Sequence, residues 1–239
     1  SPRRLVKAQT VLAEKAGATI IDSTVTRIRE ANGSVTVTLR DGSTLTAGRV
    51  LVATGGYTIS EGLLPDPLQL EVYGRTVVFF DLDPQEVERL KAMPSLIAKV
   101  RYPDDEIYML PPVAYPDGGV RLKIGGEPDN YRLDGIDELG VWFRSPGRQV
   151  AIDHLIAATA RRVPSLRHGA ISSAACITTY PRSGQMMIGW AGKQIAVMTG
   201  CCGAAAKSSD EIGRLGSVLL RQGTLAGEDY PDVFGVVFA

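Results

Sequence analysis

With 239 residues, 44% of them hydrophobic and 22% charged, the chain has the composition of a globular protein long enough to bury a sizeable core. Basic and acidic residues balance at 26 each, which excludes the electrostatic footprint of a nucleic-acid or anionic-membrane binder. No apolar run approaches the roughly 20 residues of a membrane helix, residues 1–15 lack the continuous apolar segment of a signal peptide, and three cysteines make no disulfide framework. A soluble, cytoplasmic protein of mixed α/β class is expected.

Pro2 suits the start of a helix, and Leu5, Val6, Ala8, Val11, Leu12 and Ala16 recur at helical spacing as far as Gly17. Residues 18–21 read as a short buried strand and 25–29 as another. Residues 34–39 alternate strictly, Asp41-Gly42 is a hairpin signal, and 45–47 return. Residues 49–54 form an apolar strand that stops abruptly at Gly55-Gly56. The next block changes character: 70–82 reads as a long strand, and Asp83-Pro84 before Val87 as a helix start. Pro94, Pro103, Pro111, Pro112 and Pro116 punctuate short strands around 107–110 and 120–124, the pattern of an antiparallel sheet. Residues 149–162 predict a helix with Val150, Ile152, Leu155, Ile156 and Ala160 on its apolar side.

The last third contains a strand over 172–179 that carries Cys176, a turn at 181–184, and short apolar runs at 186–190 and 194–199. The second run ends at Gly200-Cys201-Cys202-Gly203, and a helix opens just after it. Glycines at a strand-to-helix junction let a ligand approach the backbone, and the new helix's N–H groups suit a negatively polarised group. Lys207 adds a full charge in or near the first turn, so a cofactor-facing site is expected here, its cofactor unnamed by the pattern. Lys123 stands between Leu122 and Ile124, which alternation sends to the opposite sheet face. Such a lysine is either a surface residue or a buried charge with a task. Vicinal Cys201-Cys202 has no Cys/His partner at metal-ligand spacing, His154 and His168 are isolated, and no metal site is expected.

Three stretches carry a likeness: GATIIDSTVTRIREANGSVTVTLRDGSTLTAGRVLVATGGYT (17–58), YMLPPVAYPDGGVRLKIGG (108–126), and AACITTYPRSGQMMIG with IAVMTGCCGAAAKSS (174–189 and 195–209). Together they resemble FAD-dependent oxidoreductases of the D-amino-acid oxidase family, nearest its sarcosine oxidase-like branch. The resemblance implies a mixed α/β fold: a Rossmann-like FAD-binding domain lacking its first βαβ unit, with an antiparallel-sheet substrate domain. Residues 1–66 would be the middle of the FAD domain, 67–169 the substrate domain, and 170–239 the end of the FAD domain.

It also implies roles. Val25 would lie against the adenine end of FAD, and Thr54, Gly55 and Gly56 would end a strand beside the cofactor, with Gly200, Cys201, Cys202 and Gly203 at the other turn. Cys176 would link the 8α-methyl of FAD through a thioether, since a thiolate can add to the electrophilic form of the flavin. Lys123 would help activate dioxygen through its positive charge. Lys207 would face the pyrimidine end of the flavin or the substrate carboxylate. Tyr108 and Thr178 would line the substrate pocket. The reaction implied is oxidation of the C–N bond of a secondary amine or amino acid by hydride transfer to FAD, with dioxygen as acceptor.

The chain also departs from the family. It has no G-x-G-x-x-G turn, a histidine found in many members is replaced at Ala204-Ala205, and Thr178 stands where an aromatic often cages the substrate. Residues 230–239 resemble the family's natural finish, whereas the beginning matches a point about one third into a typical member. A missing N-terminal region or a complementary chain is therefore expected as a partner. A flavin dehydrogenase with another acceptor, and a flavin-free binding or structural module, are the alternative readings.

Overall fold

The computed structural model describes residues 2–99, 106–126, 128, 130–229 and 233–239; Pro103 and Tyr230 lie outside the described residues. The chain divides into two compact units, Ser1–Glu71 with Thr179–Ala239, and Val72–Thr178. Both divisions fall inside long strands, later in the chain than the expected 67 and 170.

The first unit opens with helix α1 (Pro2–Lys15), of which no residue is buried. Leu5, Val6 and Leu12 are 51%, 61% and 63% exposed, so its apolar stripe is uncovered. The expected strand at 18–21 is absent: these residues are irregular, and Ile20 and Ile21 are exposed. A strand needs a neighbour for its backbone groups, and among the described residues none pairs with this segment. Strands β1 (Val25–Ala31), β2 (Ser34–Leu39) and β3 (Thr44–Ala47) form an antiparallel meander. Its first turn, Asn32-Gly33, has φ of 52° and 77°, the left-handed pair whose twist matches a two-residue hairpin. At the second turn, Ser43 donates its backbone N–H to Asp41 Oδ1 at 3.0 Å.

Strand β4 (Val50–Val52) pairs in parallel with β12 (Ile195–Thr199), which pairs antiparallel with β11 (Met187–Trp190). Alternation divides the apolar load. Ile195 and Val197 join Ile28, Val35, Val52 and Met187 in one core, while Ala196 joins Ile188, Leu215, Val218 and Leu219 under helix α5 (Ser209–Gln222). Glu30 binds the meander to the β11–β12 turn, its carboxylate accepting the backbone N–H groups of Lys193, Gln194 and Ile195.

The second unit is built on β5 (Leu70–Asp81), β6 (Leu96–Ala98), β7 (Ile107–Ala114), β8 (Val120–Gly126), β9 (Tyr131–Arg132) and β10 (Ile171–Pro181). The sheet order is β10-β5-β8-β7-β6, with β9 also pairing β5. Pro111 and Pro112 were expected to end a strand at 110, but β7 runs through them. The ladder with β8 slips between Leu110 and Val113, so the prolines' missing N–H groups fall at an irregularity. Helices α2 (Pro84–Leu90), α3 (Ile136–Trp142) and α4 (Gln149–Arg162) complete the unit.

One sheet face carries Val78, Phe80, Ile107, Met109, Leu122 and Ile124 and packs with Leu155 and Ala158 of α4. The buried stripe of α4 runs Ala151, Leu155, Ala158, Thr159. Val150 and Ala160, expected on the apolar side, fall off that stripe and are exposed. In α2, Asp83 caps the Glu86 N–H at 2.8 Å, and the Glu86 carboxylate is fully buried. It accepts from Arg89 and from Arg167 Nε at 3.2 Å; the Arg89 bond outweighs burial and holds its pKa at about 2. No helix among the described residues is long and apolar enough to cross a membrane.

Candidate active site

The opposite face of the same sheet is assembled by period-two alternation. Lys123 pairs with Phe79 across β8–β5 and with Leu110 across β8–β7, while Tyr108 pairs with Gly125. The Lys123 Nζ lies 5.9 Å from the Phe79 ring centroid and 5.5 Å from that of Tyr108, within cation–π range. Tyr108 can lie across the strand because position 125 is glycine: a Cβ there would sit 2.5 Å from its ring. Burial pushes the Lys123 ammonium below its ordinary pKa, and attraction to a Cys176 thiolate opposes that shift. Lys123 is therefore half-buried among aromatic rings rather than a fully exposed surface lysine.

Cys176 and Thr178, two apart on β10, are held by partners that the sequence did not single out. The Trp142 indole Nε1 donates to the Cys176 carbonyl at 2.7 Å. The Thr178 hydroxyl accepts from Arg75 Nε at 2.9 Å; Arg75 is buried, donates to Asn130 Oδ1 at 3.1 Å, and lies 5.0 Å from the Tyr73 ring. The signal for Arg75 was available: a charge inside LEVYGRTVVFF is as conspicuous as Lys123 between Leu122 and Ile124. Trp142 gave no such signal, because its role depends on which strand α3 meets. The chemistry this face offers is electrostatic: a cation seated among aromatic rings beside a thiol, with burial strengthening its field.

In the first unit, β4 and β12 run parallel with Val52 opposite Val197, and both end on one edge. Ligands of α/β folds gather at such carboxyl ends. Here the ends are tied by hydroxyls: Thr58 donates to the Gly55 carbonyl at 2.7 Å, Thr199 reaches the same carbonyl at 3.2 Å, and Thr54 lies 3.0 Å from Thr58. Gly55 has φ +57° and open space where a Cβ would be, and Gly56 is buried in the 3-10 turn Gly55–Ile59.

The Gly200–Gly203 turn is built differently from its expectation. Gly200, at φ +73°, packs so closely that a Cβ would lie 2.3 Å from Pro181 Cγ. The N–H groups of Cys201 and Cys202 donate to the Thr179 hydroxyl and carbonyl at 3.1 and 2.8 Å, so those two amides are already engaged. Cys202 adopts φ +49°, and burial pushes both thiols above their ordinary pKa. The two cysteines line a cavity of about 420 Å³ with Met186, Ile212, Leu215 and Phe234. Lys207 is exposed and lies in a separate 3-10 turn, Ala205–Lys207, before α5 begins. The first turn of α5 carries Asp210 and Glu211, the charges its dipole favours.

Lys123, Tyr108, Cys176 and Thr178 thus share one sheet of the second unit, while Thr54, Gly55 and Gly56 meet Thr199 in the first. Val25 opens β1 opposite Leu39 and packs, partly buried, on the core that holds Ile28, Val35, Val52 and Val197. Among the described residues, no group of three or more His, Cys, Asp or Glu could hold a metal.

Several solved structures share the fold. NikD, an unusual amino acid oxidase essential for nikkomycin biosynthesis, matches with a TM-score of 0.72 and 19% identity over 96% of this chain and 58% of its own. Fructosyl peptide oxidase from E. terrenum gives 0.73 and 16%, over 95% and 55%. Fructosyl amine: oxygen oxidoreductase (Amadoriase I) from Aspergillus fumigatus gives 0.60 and 18%, over 83% and 45%. The chain therefore spans less than three fifths of the length of each of these. No curated protein matches it by sequence. The family profile described as "DAO: FAD dependent oxidoreductase" matches residues 1–217, and the chain belongs to that family of FAD-dependent oxidoreductases.

Proposed function

We propose that the chain serves in an FAD-dependent oxidase of the sarcosine oxidase-like group, which oxidises the C–N bond of a secondary amine or amino acid and passes the electrons to dioxygen. The observation that carries this reading is the placement of Lys123: a half-buried cation among Phe79 and Tyr108, near enough to Cys176 to feel the charge of its thiolate. Those residues fit a flavin, whose planar rings suit an aromatic-lined face and whose 8α-methyl suits a thiol. When bound, FAD supplies the acceptor for the hydride that leaves the carbon beside nitrogen.

The remaining roles belong to the chain. Cys176 is the proposed attachment point: a C–S bond to the flavin's 8α-carbon would form as that carbon and the thiol each give up a proton, the electron pair passing into the flavin ring and from there to dioxygen. Lys123 stabilises the negative charge that develops on dioxygen as it takes up electrons, and does so as a fixed charge with no proton to move. Tyr108 borders the space in which substrate is held; Thr178 contributes through the Arg75 bond that fixes its hydroxyl. Val25, the 54–56 strand end and the 200–203 turn are the proposed cofactor-lining backbone, with Lys207 as a positive charge beside the turn. One observation favours a second reading, a flavin-free binding module: the Cys201 and Cys202 amides are spent on Thr179.

Denaturing mass spectrometry with a visible spectrum decides between them. Protein that stays yellow after precipitation and carries the mass of FAD on the peptide containing Cys176 supports the oxidase, and Cys176→Ala should then release the flavin. Colourless protein of bare polypeptide mass, unable to take up added FAD, would overturn it.

A further inference from the structure

We propose that Trp142 is a positioning residue that fixes the β10 backbone at Cys176, so that the cysteine sulfur is presented to Lys123. The inference rests on the reading of Cys176 as the point of flavin attachment. β10 is a terminal strand of its sheet, with β5 as its ladder neighbour among the described residues. A strand at the end of the order has a ladder neighbour on one side only, and is the one most free to shift.

Two bonds at the cysteine counter that freedom. Trp142 donates to the carbonyl of Cys176 itself at 2.7 Å, and Arg75 donates to the Thr178 hydroxyl two residues on at 2.9 Å. Holding the carbonyl fixes the peptide plane and, with it, the direction of the neighbouring Cα–Cβ bond.

The seat of the indole is specific. Gly74 faces its six-membered ring so closely that a Cβ would lie 2.8 Å from Cε2 and Cζ2, and Tyr131 packs against it with ring centroids 5.3 Å apart. A phenylalanine would fill most of this slot; only an indole can also deliver an N–H. The ring thus serves packing, while the N–H serves the cysteine. A thiol must meet the flavin methyl at near-contact distance, and a displacement of about 1 Å costs on the order of a hundredfold in rate.

The test uses the protein in its native form, produced without flavin and then given FAD, comparing the parent with Trp142→Phe and Arg75→Lys. Three readouts are taken: the rate of covalent flavin incorporation, the rate of Cys176 alkylation by iodoacetamide read by peptide mass, and the melting temperature. Trp142→Phe should slow incorporation roughly ten- to a hundredfold and shift the alkylation rate of Cys176 while leaving those of Cys201 and Cys202 unchanged. Arg75→Lys, which keeps a donor, should retain most of the parent rates. A variant that melts lower yet links flavin and alkylates at parent rates would make the indole a packing residue only and overturn the proposal. If the parent carries no covalent flavin, the attachment reading falls by itself. The alkylation rates then decide alone, and equal values in parent and Trp142→Phe overturn the positioning role.

Discussion

Lys123 and Lys207 enter with similar claims, each a lysine a few residues from a glycine in a stretch that resembles a flavoenzyme, and the structure separates them. Lys123 is a strand residue flanked by Leu122 and Ile124, both with no exposure. Burying that pair under α4 forces the lysine onto the other face, where aromatic rings await it. Lys207 precedes a helix, and nothing in a helix start obliges its side chain to turn inward; it is exposed. The same contrast holds for backbone. Gly125 and Gly200 both exist for close packing, one against Tyr108 and the other against Pro181, whereas Gly55 has space where its Cβ would be. Strand alternation transmits a packing constraint to the neighbouring polar residue; a turn carries only its own local one.

The sharpest way to break that contrast is at the glycines. Gly200→Ala would place a methyl against Pro181 at a left-handed φ, which should cost about 2–4 kcal/mol by adding overpacking to backbone strain. Gly55→Ala meets open space and should cost only the left-handed penalty, about 1–2 kcal/mol. Denaturant melts of the native protein compare the two. Equal losses would mean that the Gly200 turn is not the packing joint described above.

The lysines give the next effect. Lys123→Met should lower the rate of flavin reoxidation by dioxygen about 100-fold, as removal of a preorganised electrostatic group does elsewhere. The charged form is the active one, so the parent rate should fall as pH rises through the Lys123 pKa. Burial holds that value below the ordinary lysine value, so the fall should begin earlier than an exposed lysine allows. Stopped-flow reoxidation across pH reads both. A Lys123→Met variant with parental oxygen reactivity would favour a dehydrogenase that uses another acceptor.

Much of the fold was legible, for reasons that vary by element. The bounds of α4 follow from helical periodicity, and β5 from a long apolar run closed by Asp83-Pro84. The 18–21 strand failed because ATII has strand composition but no partner, and pairing is not a property of the segment that pairs. Pro111 and Pro112 failed in the other direction: a bulge, invisible in sequence, let β7 continue. At the candidate site, Lys123 was singled out by alternation and resemblance together, Tyr108 and Cys176 by the resemblance alone. Arg75 was overlooked although its strand announces it, and Trp142 could not be seen, since its meaning is a single bond to a carbonyl 34 residues on.

The smallest effect is expected at Lys207, and it tests the contrast from its other side. The side chain is exposed, in a 3-10 turn separate from α5, where solvent and salt screen its field. The α5 terminus already carries Asp210 and Glu211, so the charge that suits the dipole is supplied without it. Lys207→Met should therefore change reoxidation by less than about fivefold, since an exposed charge contributes at most about 1 kcal/mol, and should shift the melting point little. Its effect should also fade between low and high ionic strength, because screening removes what an exposed charge contributes, whereas the Lys123→Met deficit should persist. A loss at Lys207 as large as that at Lys123, and equally resistant to salt, would mean that the lysine is sheltered in the working protein. The cofactor-facing role proposed for the glycine turn would then extend to that side chain.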